Sequence, residues 1–457
     1  MHTSSAGQPT NAVTVSRAEI VRLSWPIVLA NAAVPLLGLV DTAVIGNTGT
    51  VADLGAVALG ALVFSFVYWT FGFLRMGTTG FVAQASGAGD SAEVRATVAR
   101  TLLLGVGIGI VLFALRGPIG TVSMQILSGS ETVESTTAQY ISLRIFGAPA
   151  ALATFAMLGV FVGLGRTKHL LATQLTLNGL NIGLDILFAG VLGLGVPGLA
   201  IGTAIAEWVT FLLALSLLLP LLRREHEDAE PFWPRDRIVD RAAFTKLLGA
   251  NGDIMVRTLF LMLGFAWFTN QGALFGEEIL AANHVLLQLV TLSAYLLDGY
   301  AQATEIFVGR AVGAGDLSLF DEAARQATEM AALSAVILAA VVWLAGPFAV
   351  AGLTDLEPVR AVALDFLPFA AVYVALSFGA FQLDGIFIGA TGTRGLRNAS
   401  VASCLSFIAL TWFAIPRAAN TGLWLSFILY VVLRAIFLGS YLPGVRRELS
   451  RGASVSE

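Results

Sequence analysis

The sequence predicts an all-α membrane protein with twelve transmembrane helices in two six-helix lobes related by a parallel internal repeat. Three observations lead to this fold class. Of the 457 residues, 56% are hydrophobic and only 12% are charged, which is too little charge to cover soluble domains. Apolar stretches recur along the whole chain, and the mean hydropathy is +0.81. One sequence motif also occurs twice, at corresponding places in the two halves.

Each predicted span is long enough to cross a membrane as a helix, since a hydrocarbon core about 30 Å thick needs about 20 helical residues. Strands of a membrane barrel would be about ten residues long and would alternate apolar with polar side chains. These stretches show no such alternation. The predicted spans cover residues 25–45, 54–81, 98–115, 139–162, 170–192, 197–222, 244–270, 279–307, 330–350, 361–388, 398–416 and 421–443.

Basic residues in the connections predict that both termini lie in the cytoplasm, because positively charged loops are retained there. With that orientation, 19 of the 26 Lys and Arg residues fall on the cytoplasmic side, three on the other side and four inside spans. We therefore expect a multi-pass protein of the plasma or inner membrane of the cell, surrounded by the lipid bilayer.

The internal repeat divides the chain into two lobes. Phe81–Asp90 (FVAQASGAGD) matches Phe307–Asp316 (FVGRAVGAGD) at seven of ten positions, with an offset of 226 residues. Six spans in each half predict lobes related by an axis along the membrane normal, as in transporters with a central cavity. The predicted division is a cytoplasmic N-terminal segment 1–24, an N-terminal lobe 25–222, a cytoplasmic linker 223–243, a C-terminal lobe 244–443 and a cytoplasmic tail 444–457.

Several function classes are disfavoured by what the sequence lacks. A net charge of -4 without a basic patch argues against nucleic acid as a partner. The sequence contains no His-Glu-x-x-His, Gly-x-Ser-x-Gly or P-loop motif, which argues against an enzyme and against direct use of nucleotides. We expect no cofactor and no metal site, a small organic molecule as the ligand, and a monomer.

Polar side chains inside spans one, five and six predict a polar pocket with protonatable carboxyl groups in the N-terminal lobe. Asp41, Asp185 and Thr203 lie roughly 6–10 Å below the outer membrane edge, at about 1.5 Å per helical residue. Asn178, Asn181 and Asp185 share one helix face because they are spaced i, i+3, i+7. Poor hydration beside a second carboxyl group favours reversible protonation. The open alternative is a structural hydrogen-bonded pair that ties spans one and five together.

Two further ionisable residues in this lobe have no assigned partner. No Arg or Lys inside a span is expected at the depth of the two aspartates to neutralise them, and Arg144, in the outer part of span four, is the residue whose approach would contradict this. Glu207 lies within span six, where both a coupling role and a structural role are open.

The C-terminal lobe carries its ionisable residues nearer the cytoplasm, and they predict an ionic network. Arg257 follows Asp253 by four positions, so an ion pair on one helix is expected. One interpretation is a charge-neutral network that closes the cytoplasmic side, and the other is a second cation or substrate site. The residues concerned are Asp253, Arg257, Asp298, Glu305 and Asp384.

Proline and glycine in span one predict a hinge. Pro26 begins the span, where proline is tolerated, whereas Pro35 lies inside it and removes a backbone hydrogen bond six residues before Asp41. Gly38 follows within one turn. The span is therefore expected to bend when Asp41 is protonated, and a static kink that serves packing is the alternative.

Four separated motifs give the chain a strong resemblance to a known family. They are PLLGLVDTAVIG at 35–46, LRMGTTG at 74–80, DIMVR at 253–257 and LDGIFIGATG at 383–392. Together they resemble the multidrug and toxic compound extrusion (MATE) family, in its DNA-damage-inducible F (DinF) branch, and the similarity spans Trp25 to Leu442.

This resemblance implies a two-lobed, 12-helix antiporter that exports organic, often cationic or amphipathic, compounds in exchange for H+ or Na+. It also implies that Asp41, Asn181, Asp185 and Thr203 are the cation-coupling residues, since they occupy matching positions. Span seven does not carry a carboxylate in the pattern that the NorM-like branch uses for Na+, which argues against Na+ coupling in the C-terminal lobe. Na+-coupled export and a lipid-linked precursor flippase of the same superfamily remain as alternatives.

Overall fold

The computed structural model describes residues 15–127, 129–224 and 231–453, and every regular element in these ranges is helical. The all-α prediction is confirmed. The helices of the first half are α1 (Arg17–Ala32), α2 (Val34–Thr48), α3 (Val51–Thr70), α4 (Phe73–Gly87), α5 (Ser91–Ala114), α6 (Arg116–Ile126), α7 (Glu131–Arg144), α8 (Ala148–Gly163), α9 (Thr167–Asp185) and α10 (Gly195–Arg224). Those of the second half are α11 (Arg235–Ile238), α12 (Arg241–Ala273), α13 (Glu277–Gly313), α14 (Leu317–Leu353), α15 (Glu357–Gly389) and α16 (Thr393–Ala453).

Within the described ranges, nine helical stretches are long and apolar enough to cross a membrane. The predicted spans 25–45 and 170–192 are not among them, because the first is divided at Ala33 and the second carries two asparagines and an aspartate. α16 would be about 90 Å long if it were straight, but its backbone leaves helical geometry at Ala419, with φ of 45° and ψ of -125°. The count of twelve spans therefore stays a prediction.

The first predicted span differs most from the structure. A helix already begins at Arg17, where the Ser16 hydroxyl accepts from the Glu19 N–H and caps it. Pro26 is therefore inside α1, and the prediction that it begins the span was wrong. The predicted N-terminal segment 1–24 contributes its last eight residues to this helix, while residues 1–14 lie outside the described part of the chain.

Apolar side chains cover the outside of the helical bundle. On α14 alone, Trp343, Leu344 and Phe348 are 63–80% exposed, which a water-facing helix of a soluble protein would not show. Lipid is the solvent that suits such a surface. Inside the C-terminal lobe, aromatic rings on α12, α15 and α16 pack on one another around Phe427.

Two buried arginines fix the segment before the second lobe to the first lobe. The Nε of Arg95 donates to the Phe232 carbonyl at 2.9 Å, and Nη2 of Arg100 donates to the Arg237 carbonyl at 2.7 Å. Arg237 in turn pairs with Asp90 at 2.6 Å. The described part of the predicted linker before α12, residues 231–240, is thus docked on α5, and α12 starts at Arg241. Residues 225–230 lie outside the described ranges, as do residues 454–457 of the predicted tail.

The lobes meet at one end of the bundle, which we call the linker end because the docked linker lies there. The repeated motif makes this contact. The Nε2 of Gln84 donates to the Gly389 carbonyl at 2.9 Å, and Nη2 of Arg310 donates to the Leu164 carbonyl at 2.9 Å. Gln84 and Arg310 are equivalent positions of the repeat at the offset of 226, so each lobe reaches across to the other in the same way.

Glycines let the two backbones approach at this contact. A Cβ atom at Gly87 would overlap the backbone of Arg310, and one at Gly313 would overlap the backbone of Gln84. These glycines are also equivalent positions of the repeat. The duplicated motif therefore packs against its own copy, with each glycine facing the other lobe's hydrogen-bond donor residue.

Gly87→Ala and Gly313→Ala should each push the lobes apart at the linker end. Overpacking of a tight contact costs about 1–3 kcal/mol, so we expect a lower temperature of thermal unfolding in detergent. Gly107→Ala is the matched control, since a Cβ on that α5 glycine would meet no atom within 4 Å. Unfolding temperatures of both interface variants equal to that of the control would show that close approach of the backbones is not needed.

Candidate functional site

The N-terminal lobe contains a pair of carboxyl groups that interact with each other, Asp41 on α2 and Asp185 at the last position of α9. Both are buried, Asp185 completely. No described group donates a hydrogen bond to Oδ1 of Asp41 or to either oxygen of Asp185. A carboxylate has no hydrogen to donate, so the contact becomes a hydrogen bond only when one of the two groups is protonated. Close carboxyl groups of this kind share a proton.

The predicted amide and hydroxyl residues lie around this pair, but they make different hydrogen bonds. The Nδ2 of Asn181 donates to the Thr203 hydroxyl at 2.8 Å, which links α9 to α10 beside the carboxyls. Nδ2 of Asn178 instead donates to the Ala33 carbonyl at 3.2 Å. Ala33 is the residue between α1 and α2, so Asn178 satisfies a backbone group at the break. The structure therefore brings the five predicted residues together, with Asn178 bound to the backbone rather than to the carboxyl pair.

The backbone is irregular on both sides of the carboxyl pair. α2 begins directly after α1, with Pro35 in its first turn, and Gly38 has open space around its Cα. The side chain of Pro35 lies outside the described part of the structure. After Asp185, residues Ile186–Val191 form a π-helical turn, a feature that is frequent at functional sites. The predicted hinge region thus coincides with an observed helix break, at Ala33 rather than at Pro26.

Arg144 and Glu207, the two ionisable residues without assigned partners, both belong to this site. Arg144 interacts electrostatically with Asp41, Asp185 and Glu207, and its Nη1 donates to the Tyr140 hydroxyl at 2.7 Å. Tyr68 donates from its hydroxyl to Oε1 of Glu207 at 3.1 Å. A close look at depth could have found Arg144, but the pairing of residues on separate spans could not be deduced from spacing.

The predicted ion pair between Asp253 and Arg257 was wrong. Asp253 instead accepts from Nη1 of Arg397 at 2.6 Å and from the Thr393 hydroxyl at 3.0 Å, both on α16. Arg257 pairs with Asp384 on α15. Spacing by four residues makes contact on one helix available, but partners on the neighbouring helices satisfy both residues here.

Asp384 is the centre of the C-terminal network, because it accepts from Arg257 and also from Arg434 of α16. Glu305 lies 3.9 Å from Nη1 of Arg75, which belongs to the other lobe. Asp298 accepts from Gln302 and, across the lobes, from Asn31 of α1.

Electrostatic interactions join Glu305 to Arg75, Arg257, Asp298 and Asp384. The cluster therefore contains three carboxyls (Asp298, Glu305 and Asp384) and three guanidiniums (Arg75, Arg257 and Arg434). It is balanced in charge, and Arg75 and Arg434 are members that the sequence analysis did not assign.

Comparison with known proteins places this two-lobed arrangement in a family. The MatE family matches residues 26–187 and 254–413, which is one match in each half of the chain. The DNA damage-inducible protein F of Escherichia coli (strain K12) is 36% identical over 428 residues, covering 94% of this chain and 92% of that protein.

More distant proteins are also similar to this chain over most of its length. A probable multidrug resistance protein NorM of Deinococcus radiodurans is 30% identical, covering 88% of this chain and 87% of that protein. A crystal structure of a MATE protein in the bent conformation superposes with a TM-score of 0.85 at 20% identity, covering 95% and 96% of the two chains. The chain therefore belongs to the multidrug and toxic compound extrusion (MATE) family, whose members are membrane transporters rather than enzymes.

Proposed function

We propose that the protein is a secondary active exporter that exchanges small organic compounds, often cationic or amphipathic, for H+. The observation that supports this function most directly is the buried pair of Asp41 and Asp185, which lacks hydrogen-bond donors from other described groups. A proton on the pair can be exchanged for a cationic substrate at little cost, because either one compensates the same negative charge. The name of the Deinococcus relative, a multidrug resistance protein, supports the same class of substrate.

Alternating access follows from the contact between the lobes. If both termini are cytoplasmic, as the basic residues predict, then the linker end is the cytoplasmic end. The hydrogen bonds of Gln84 and Arg310 close that end. The structure then corresponds to an outward-facing state, in which protons from outside reach the Asp41 pair and substrate leaves. Opening the linker end would return the protons to the cytoplasm.

Na+ coupling at the C-terminal lobe is disfavoured by its charge balance. Asp384 is already compensated by Arg257 and Arg434, and Glu305 by Arg75, so a Na+ ion there would add an uncompensated charge. Charge balance does not disfavour Na+ binding in the N-terminal lobe, where carboxylate and amide oxygens are suitable ligands. Transport driven by a Na+ gradient at constant pH is the measurement that separates the two coupling ions.

A lipid-linked precursor flippase is the second function considered. Such a protein must accommodate a phosphate-containing headgroup, which calls for Arg or Lys side chains not already paired. The arginines of the C-terminal cluster are bound to Asp384 or lie beside Glu305. Because they are already paired with carboxyl groups, they do not offer a site for a phosphate-containing headgroup, and this favours the exporter over the flippase.

Asp41→Asn should abolish proton-driven export while leaving the fold intact, because the amide keeps the size of the side chain and loses the exchangeable proton. In proteoliposomes with an imposed pH gradient, we expect efflux and pH-dependent dye quenching at background level. Asp185→Asn should be impaired too, since the pair titrates together. Asp365→Asn, at an exposed position on α15, is the matched control. Export by Asp41→Asn at the rate of that control would contradict the proposed coupling.

Asp384→Asn should act on stability rather than on coupling. The change leaves two buried guanidiniums without their shared carboxylate, at a cost of about 3–5 kcal/mol. We expect a lower unfolding temperature in detergent, partly recovered in Asp384→Asn/Arg257→Leu because one unpaired charge is removed. An unfolding temperature of Asp384→Asn equal to that of the parent, or one that is lower in the double variant than in the single variant, would show that the ion pairs do not stabilise this lobe.

Pro35→Ala should favour one orientation of the cavity. The substitution supplies a backbone N–H that can bond to the Asn31 carbonyl and join α1 to α2. Binding of substrate should survive, while turnover falls and labelling of introduced cysteines from the two sides of the membrane becomes unequal, in a Cys404→Ser background. Pro358→Ala is the control, because a proline in the first turn of α15 costs no hydrogen bond. Equal labelling and turnover in both variants would leave the break as a static feature.

A further inference from the structure

We propose that Glu207 is a second proton-binding carboxyl group of the N-terminal lobe, so that this lobe exchanges two protons in a transport cycle. The proposal rests on the proton-coupled export proposed above and specifies its stoichiometry. It assigns a role to a buried acidic residue that lies apart from the Asp41–Asp185 pair and shares a counter-ion with it.

The surroundings of Glu207 suit a carboxyl group that is neutral. The residue is 5% exposed on α10, and among the described side chains only Tyr68 donates to it, at Oε1. No described group donates to Oε2. That oxygen points at Gly147, where any Cβ would overlap it. A permanently ionised carboxylate would need more donors in such a place, and a proton on Oε2 removes that need.

Arg144 is the cation that connects Glu207 to the aspartate pair. Its guanidinium lies 4.4 Å from the centre of the Phe64 ring and 5.7 Å from that of Tyr140. Stacking on these rings holds the guanidinium in place. It interacts electrostatically with all three carboxyl groups, so one positive charge is shared by three acids.

Charge balance then fixes the number of protons. Glu207 itself interacts with Tyr68 from α3 and Arg144 from α7. Arg144 in turn interacts with Tyr140 on its own helix, with Asp41 from α2 and with Asp185 from α9. With all three carboxyls ionised and Arg144 charged, the site would carry a net charge of minus two in a poorly hydrated interior. Two protons make it neutral. One belongs to the contact between the aspartates, and the other to Glu207.

The C-terminal cluster compensates its carboxyl groups with arginines instead. There, three guanidiniums accompany three carboxyls, as the contacts of Asp384 and Glu305 show. The deficit of two positive charges is specific to the N-terminal site. Two protons exchanged for one monovalent cation would also carry a net positive charge inward, so the membrane potential would contribute to export alongside the pH gradient.

Infrared difference spectroscopy of the full-length protein between acidic and alkaline pH counts protonated carboxyl groups directly. We expect Glu207→Gln to lose the carbonyl stretch of one carboxyl group. Arg144→Gln should gain one, because three acids without a counter-ion bind a third proton. Thr210→Val, an isosteric change one turn away on α10, is the control and should match the parent. An unchanged band in Glu207→Gln would overturn the assignment.

A second variant keeps the test valid should Glu207→Gln fail to fold. Tyr68→Phe removes the hydrogen bond to Oε1 and keeps the ring, so the carbonyl band of Glu207 should shift to higher frequency; a band at the parent frequency would also overturn the proposal. The spectra involve no transport. Absence of proton-driven export in the parent would therefore contradict the proposed function alone, whereas the bands test Glu207 alone.

Discussion

The cost of placing charge in lipid governs the arrangement of both lobes. Neither lobe can hydrate its buried carboxyl groups, so each must supply a positive charge or a proton for every negative one. The C-terminal lobe meets this requirement with arginines on helices from both lobes, which also fastens those helices together. At the site of Asp41, Asp185 and Glu207, Arg144 is the guanidinium that interacts with all three carboxyls, and the function proposed above assigns the remaining compensation to protons. The same constraint therefore accounts for the ion pairs that fasten helices together in the C-terminal lobe and for the proposed response of the N-terminal lobe to protons.

The departures from regular helix lie where this constraint acts. Asn178 donates to the Ala33 carbonyl, so the polar pocket contacts the backbone where α1 meets α2. The π-helical turn after Asp185 occurs on the helix that faces the break. Gly202 leaves room for the Asp185 carboxyl, since a Cβ there would approach it to 2.9 Å. The carboxyl pair therefore lies between two irregular stretches of backbone, one on each of the helices that carry it.

Most of the fold could be predicted from the sequence, because lipid imposes length and apolarity on every span and duplication repeats its motif at a constant offset. The grouping of Asn178, Asn181 and Asp185 followed from helix periodicity. Periodicity did not predict the partner of Arg257, because a long side chain can reach carboxyl groups on neighbouring helices as well as those on its own helix. The roles of Arg144 and Glu207 depended on contacts between separate spans, which hydropathy does not encode. The start of α1 was missed because a polar, capped helix gives no hydropathy signal.

The docking of the linker has a mechanical consequence. Arg95 and Arg100 hold residues 232 and 237 against α5, so the described part of the linker lies on the N-terminal lobe just before α12 begins. The covalent connection between the lobes is thereby reduced to the joint between Asp240 and Arg241. A long flexible linker would allow the two lobes to translate relative to each other, whereas a short connection favours rotation about one point. Rotation of one lobe about this point moves the far end of the bundle through the largest arc.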